Sequence, residues 1–234
     1  MINAFFTNFG VSLKYLFLAI FKPVSTFNKL AVDDRNVIYA WYIYFFSAFL
    51  FGLILVPAAL FLRPTGWVPL FFKGIPEDMI YVYFLMTAPI APFVLNLIVF
   101  AVVEITGMIV PNKKQLDFNA TFAVMMYALT IVVLLDFITE AVPIIYFFVT
   151  GAEETPALFV NVLHNMIFNE RYSGAFTKPL LLFMFGMYAV MFIWMIILFI
   201  NGITAVKKTG RIPSIISGIV ATLLYWVVMT IWIF

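Results

Sequence analysis

Four stretches of this chain, residues 37–62, 79–110, 179–206 and 212–234, are each long and apolar enough to cross a lipid bilayer. A hydrocarbon core of about 30 Å needs about 20 apolar helical residues. A further stretch, residues 118–150, has the length, but Asp136, Glu140 and Pro143 interrupt it. Its span is placed at 118 to about 139, with 142–149 as an outer-face continuation. Composition agrees: 65% of the residues are hydrophobic and 10% charged, against about 45–50% and about 25% in a soluble domain. Mean hydropathy is +1.12. A soluble fold of this size could not hide so much apolar surface. Soluble globular, disordered and nucleic-acid-binding proteins are thereby excluded. The absence of cysteine excludes a disulfide framework, a thiol nucleophile and a cysteine-based zinc site.

Two other apolar segments read as surface helices. Residues 4–21 carry a polar stripe of Asn3, Thr7, Ser12 and Lys14, and are of marginal length for a crossing. Residues 158–168 place Asn161, His164 and Asn165 on one face, opposite Leu158, Phe159, Val162, Leu163 and Ile167. The expected fold is therefore all-α: a single transmembrane domain over 1–234, five spans in a bundle, an N-terminal interfacial amphipathic helix, and an outer-face loop over 140–178 with a short helix. With five spans, Lys14, Lys22, Lys29, Arg35, Lys113, Lys114, Lys207, Lys208 and Arg211 share one side. Arg63, Lys73, Arg171 and Lys178 lie on the other. The positive-inside rule puts the richer side, with the N-terminus, in the cytoplasm and the C-terminus outside. Tyr39, Trp41, Tyr42, Tyr44, Trp67, Tyr81 and Tyr83 fall at span boundaries, where amphipathic rings favour the headgroup level.

The run Phe21-Lys22-Pro23-Val24-Ser25-Thr26-Phe27, after an amphipathic start, resembles the Pro-x-x-x-Phe entry of Yip1-domain membrane proteins. The closing hairpin is similar to theirs: Trp194, Asn201-Gly202, a basic turn Lys207-Lys208-Thr209-Gly210-Arg211, then Ser214 and Ser217-Gly218. The family often has a Tyr followed by Pro in the third span, where this chain has Tyr127-Ala128-Leu129. The long polar tail of eukaryotic members is absent. The resemblance implies a short, prokaryote-like member in the plasma membrane. It also implies an adaptor without known chemistry, working through a protein partner (GTPase-like in eukaryotic relatives) or a second copy of itself.

Few residues suggest chemistry. Glu104 lies in an otherwise apolar run, and intramembrane acids are functional candidates by default. A straight helix from Met79 carries it about 37 Å, to the cytoplasmic edge. There it meets water, holds a cation or proton, or pairs with a polar group on a neighbouring helix. Asp136 and Glu140 are four apart, so they share a helix face with Cβ atoms about 5–6 Å apart. In a dry site one would hold a proton or a cation would sit between them; near the outer interface, water removes the conflict. Pro89 and Pro92 interrupt the second span near its middle, with Asn96 one turn further on. Broken helices build sites in several transporters. Lys207, Lys208 and Arg211 either hold anionic headgroups or only set topology. The small residues beside them suit close helix packing. His164 has no metal-binding spacing around it, and no Walker A loop, nucleophile elbow or dinucleotide fingerprint occurs. No catalytic residue, metal or cofactor is expected. The expected function is a Yip1-like membrane adaptor or organiser. The alternative is a small transporter, channel or lipid-handling protein using Glu104, Asp136, Glu140, Asn96 and the proline break.

Overall fold

The computed structural model describes residues 2–62, 79, 90–110, 115–150 and 178–233. Seven helices are found among them, and no strand: α1 (Ile2–Phe21), α2 (Pro23–Ala31), α3 (Asn36–Leu62), α4 (Ile90–Ile109), α5 (Phe118–Thr150), α6 (Lys178–Lys207) and α7 (Arg211–Ile233). Five helices have a segment long and apolar enough to cross a membrane: Asn3–Phe21, Pro92–Ile109, Phe118–Thr139, Phe185–Lys207 and Arg211–Val228. At 27 residues α3 has the length as well. The chain is thus a multi-pass helical membrane protein. The number five agrees with the sequence reading, but α1 stands among these helices where that reading has α3. The outer-face helix expected over 158–168 lies outside the described residues.

α5 is the centre of the bundle. Every residue from Ala120 to Val133 is buried. α3 packs along it in parallel: Trp41 meets Phe122 and Leu50 packs with Val133, a nearly constant offset. Asp117 starts α5 by accepting the N–H of Ala120 at 3.0 Å, the usual N-cap bond. α5 then runs unbroken to Thr150, where the sequence reading ends the span near 139. Pro143 does not stop it. In lipid, abandoning the helix would strand every later backbone group, whereas one proline forfeits one bond.

Two glycines let α6 approach its neighbours. A Cβ on Gly202 would run into the Met125 Cε of α5. One on Gly218 would lie 2.6 Å from Ile200 Cγ1 and 3.1 Å from its backbone nitrogen. Small residues are how membrane helices close such gaps.

One end of the bundle gathers the ends of most helices. The N–H of Leu116, just before α5, donates to the Val206 carbonyl of α6 at 2.7 Å. Thr106 of α4 donates to Ser217 Oγ of α7 at 2.6 Å. Across this end lies α2. Lys22 is held off helical geometry ahead of Pro23, so the chain turns there and restarts with proline in the first helical turn. α2 buries Pro23, Thr26, Phe27, Leu30 and Ala31 against the bundle. The expected basic positions that are described, Lys14, Lys22, Lys29, Arg35, Lys207, Lys208 and Arg211, all lie on α1, α2 or the helix ends grouped here.

Candidate functional site

At this basic end the most buried charge is Lys207, the last residue of α6. Its side chain is 3% exposed, and its ammonium lies 2.7 Å from Glu104 Oε1 of α4, itself 26% exposed. Gly107 makes the room. A Cβ there would stand 3.0 Å from Lys207 Cδ and 2.9 Å from Gln115 Oε1. Lys207 therefore differs from the expectation of a headgroup-facing cation: its charge is turned inward and spent on an acid. Glu104 is neither a lone water-facing acid nor an open ion site. It is the partner of a group on a neighbouring helix, one of the roles its position allowed. The sequence separation of 103 residues hid this pairing.

Lys208 and Arg211 stay outside the core. Lys208 takes a left-handed backbone, φ 52°, as α6 ends. Its ammonium donates to Asn28 Oδ1 of α2 at 3.0 Å. Thr209 and Ser214 close the turn with a buried hydroxyl pair 2.7 Å apart. Arg211 is exposed at the start of α7.

The N-terminal helices are fastened to this end. Tyr127, fully buried on α5, donates to the Ser12 carbonyl of α1 at 3.2 Å. Tyr15 stacks edge-on against Tyr127 and donates to Asp33 Oδ2 at 3.0 Å. Asp33 also accepts the Arg35 N–H at 2.9 Å, closing the turn into α3. Sequence reasoning noted Tyr127 only for the residue that follows it. Its anchoring role had no local signal.

Deeper in the bundle, Asn96 is completely buried on α4, and neither amide atom has a hydrogen-bond partner among the described residues. Ser47 of α3 and Thr130 of α5 are also buried with hydroxyls lacking partners there. The α3–α5 register places these two at one level. Pro92 is buried near the described start of α4. Pro89 lies outside the described residues. Asp136 is half-buried on α5, within electrostatic range of buried Tyr225 on α7. Glu140 is helical, but its side chain lies outside the described residues, so its pairing with Asp136 is left to the shared helix face. Among the described residues no group of three His, Cys, Asp or Glu could hold a metal ion.

No family model, curated protein or solved structure matches the chain.

Proposed function

We propose that this chain is a non-catalytic membrane organiser of the Yip1-like kind, which recruits or arranges other membrane components through its basic end. The observation that carries the reading is the fastening of α1 and α2 across that end by Tyr127–Ser12, Tyr15–Asp33 and Lys208–Asn28. A helical shelf pinned by hydrogen bonds and a buried Phe27 offers a partner a fixed surface. Such preorganisation lowers the cost of binding. The Lys/Arg distribution supports placing this end in the cytoplasm, and the resemblance alone suggests a prokaryotic membrane. Mild crosslinking in native membranes, followed by purification, tests the proposal. The expected result is a defined homo-oligomer or one reproducible partner. A monomer that moves a solute across liposomes would overturn it.

A second reading, a small transporter or channel, is favoured by Asn96. A buried amide without partners in lipid costs several kcal/mol, and a polar solute or water passing the bundle interior would offset that cost. Solute flux that Asn96→Leu abolishes would establish this reading.

A further inference from the structure

The cations of the basic end are not scattered. Lys22, which caps the start of α2, and Lys29, near its end, are both exposed and stand about 10 Å apart along the helix axis. Lys208 reaches Asn28, the neighbour of Lys29, and so brings the α6–α7 turn against α2. Arg211 follows three residues later, exposed. Lys207, which the sequence groups with these cations, is removed by Glu104. Two of the three acids nearest in the chain are engaged in hydrogen bonds of their own. Asp33 accepts from Tyr15 and Arg35, Asp117 caps α5, and exposed Asp34 lies beyond the C-terminus of α2.

Large apolar side chains flank the same cations. Phe21 is 78% exposed beside Lys22, and Ile212 is 71% exposed beside Arg211. Val24 is exposed on α2 itself. Cation and apolar side chain alternating at one level describe the boundary between headgroups and hydrocarbon, where long basic side chains reach phosphate and apolar ones enter the acyl layer.

We infer that Lys22, Lys29, Lys208 and Arg211 form a binding site for the phosphate headgroup of an anionic phospholipid, assembled where α2 meets the α6–α7 turn. The charge is complementary, and the apolar flanks select a lipid over a soluble anion. The site goes beyond the organiser reading and stands without it, because it requires no protein partner.

The test is lipid retention by the purified full chain, reconstituted in phosphatidylcholine containing a minority of phosphatidylglycerol. Native mass spectrometry then counts the lipids that stay bound. Phosphatidylglycerol should be enriched over its share of the bilayer. The triple variant Lys29→Gln, Lys208→Gln, Arg211→Gln should lower that enrichment by about tenfold or more, since each surface cation contributes about a factor of five. Lys14→Gln, on the exposed strip of α1, should leave it unchanged. The charge-keeping variant Lys29→Arg, Lys208→Arg, Arg211→Lys should restore it. High salt on the unaltered protein should reduce it as well, which tests the site even where the triple variant fails to fold. Enrichment that survives both salt and the triple variant would overturn the site. Equal competition by free inorganic phosphate would overturn the lipid assignment.

Discussion

Lys207 and Glu104 divide one interaction unequally. The ammonium is almost wholly enclosed, while the carboxylate keeps about a quarter of its surface. Removing one partner of a buried ion pair leaves the other charge uncompensated, at a cost of about 3–5 kcal/mol. The burial asymmetry decides which removal costs more. Glu104→Gln strands a charge that water cannot reach, whereas Lys207→Met leaves a carboxylate that can be partly hydrated. Thermal unfolding in detergent should show Glu104→Gln as the more damaging variant. The double variant Glu104→Leu, Lys207→Met should lose much less than the sum of the two single changes, because no buried charge remains. Equal losses for the single variants, or additive losses in the double, would show that the pair is not coupled as described. Asn96 is the opposite case, a buried polar group to which the described bundle supplies no partner. The sequence marks Glu104 as an acid in an apolar run and Asn96 as the residue one turn beyond Pro92. Only the packing separates the paired Glu104 from Asn96, which has no partner among the described residues, since a partner 103 residues away leaves no local mark.

Helices were legible because membrane helices announce themselves by length. Residues 37–62, 179–206 and 212–234, expected from apolar run length, correspond to Asn36–Leu62, Lys178–Lys207 and Arg211–Ile233. α2 was not legible as a cover over the bundle end. Nine residues with a buried face carry no signal for what they pack upon, and only the contacts of Phe27 and Leu30 reveal it. The close approaches of α6 were legible as small residues, but not their different tolerances. At Gly218 a methyl would meet backbone nitrogen 3.1 Å away, which cannot rotate aside. Overpacking of that kind costs about 1–3 kcal/mol and outweighs the about 1 kcal/mol of helix propensity that alanine adds. At Gly202 the nearest obstacle is the flexible end of Met125, with Val124 Cγ1 next at 3.2 Å, and neither is backbone. Gly218→Ala should therefore lower the unfolding temperature, while Gly202→Ala should lower it less. The reverse order would mean that the α5–α6 contact, not α6–α7, sets the packing limit.

For the whole molecule the decisive element is α1, which has the length to cross but is attached in a way that argues against crossing. Phe5 and Phe9 both meet Tyr42, Phe9 also meets Phe46, and Tyr15 meets Tyr39. From Phe5 to Tyr15 α1 advances about 15 Å, yet these partners span only about 10 Å of α3, all in its first half. α1 therefore crosses α3 obliquely near the basic end. Its outer strip joins Asn3, Thr7, Gly10 and Lys14 to Phe17 and Phe21, all exposed. A helix running through hydrocarbon would place Lys14 far from water, at a cost of about 2.5–3.5 kcal/mol or more. A helix lying in the interface gives the polar and aromatic members of that strip a boundary that suits both. The natural absence of cysteine makes the test clean. Single substitutions Asn3→Cys, Lys14→Cys and Arg35→Cys, probed with a membrane-impermeant maleimide, should all react from one face. Asn3→Cys reacting from the opposite face to Arg35→Cys would make α1 a sixth crossing. The N-terminus would then move to the far side, and α2 would follow a span instead of extending a surface shelf. Labelling of all three from one face leaves α1 and α2 together as that shelf, the surface on which both the organiser reading and the lipid site are built.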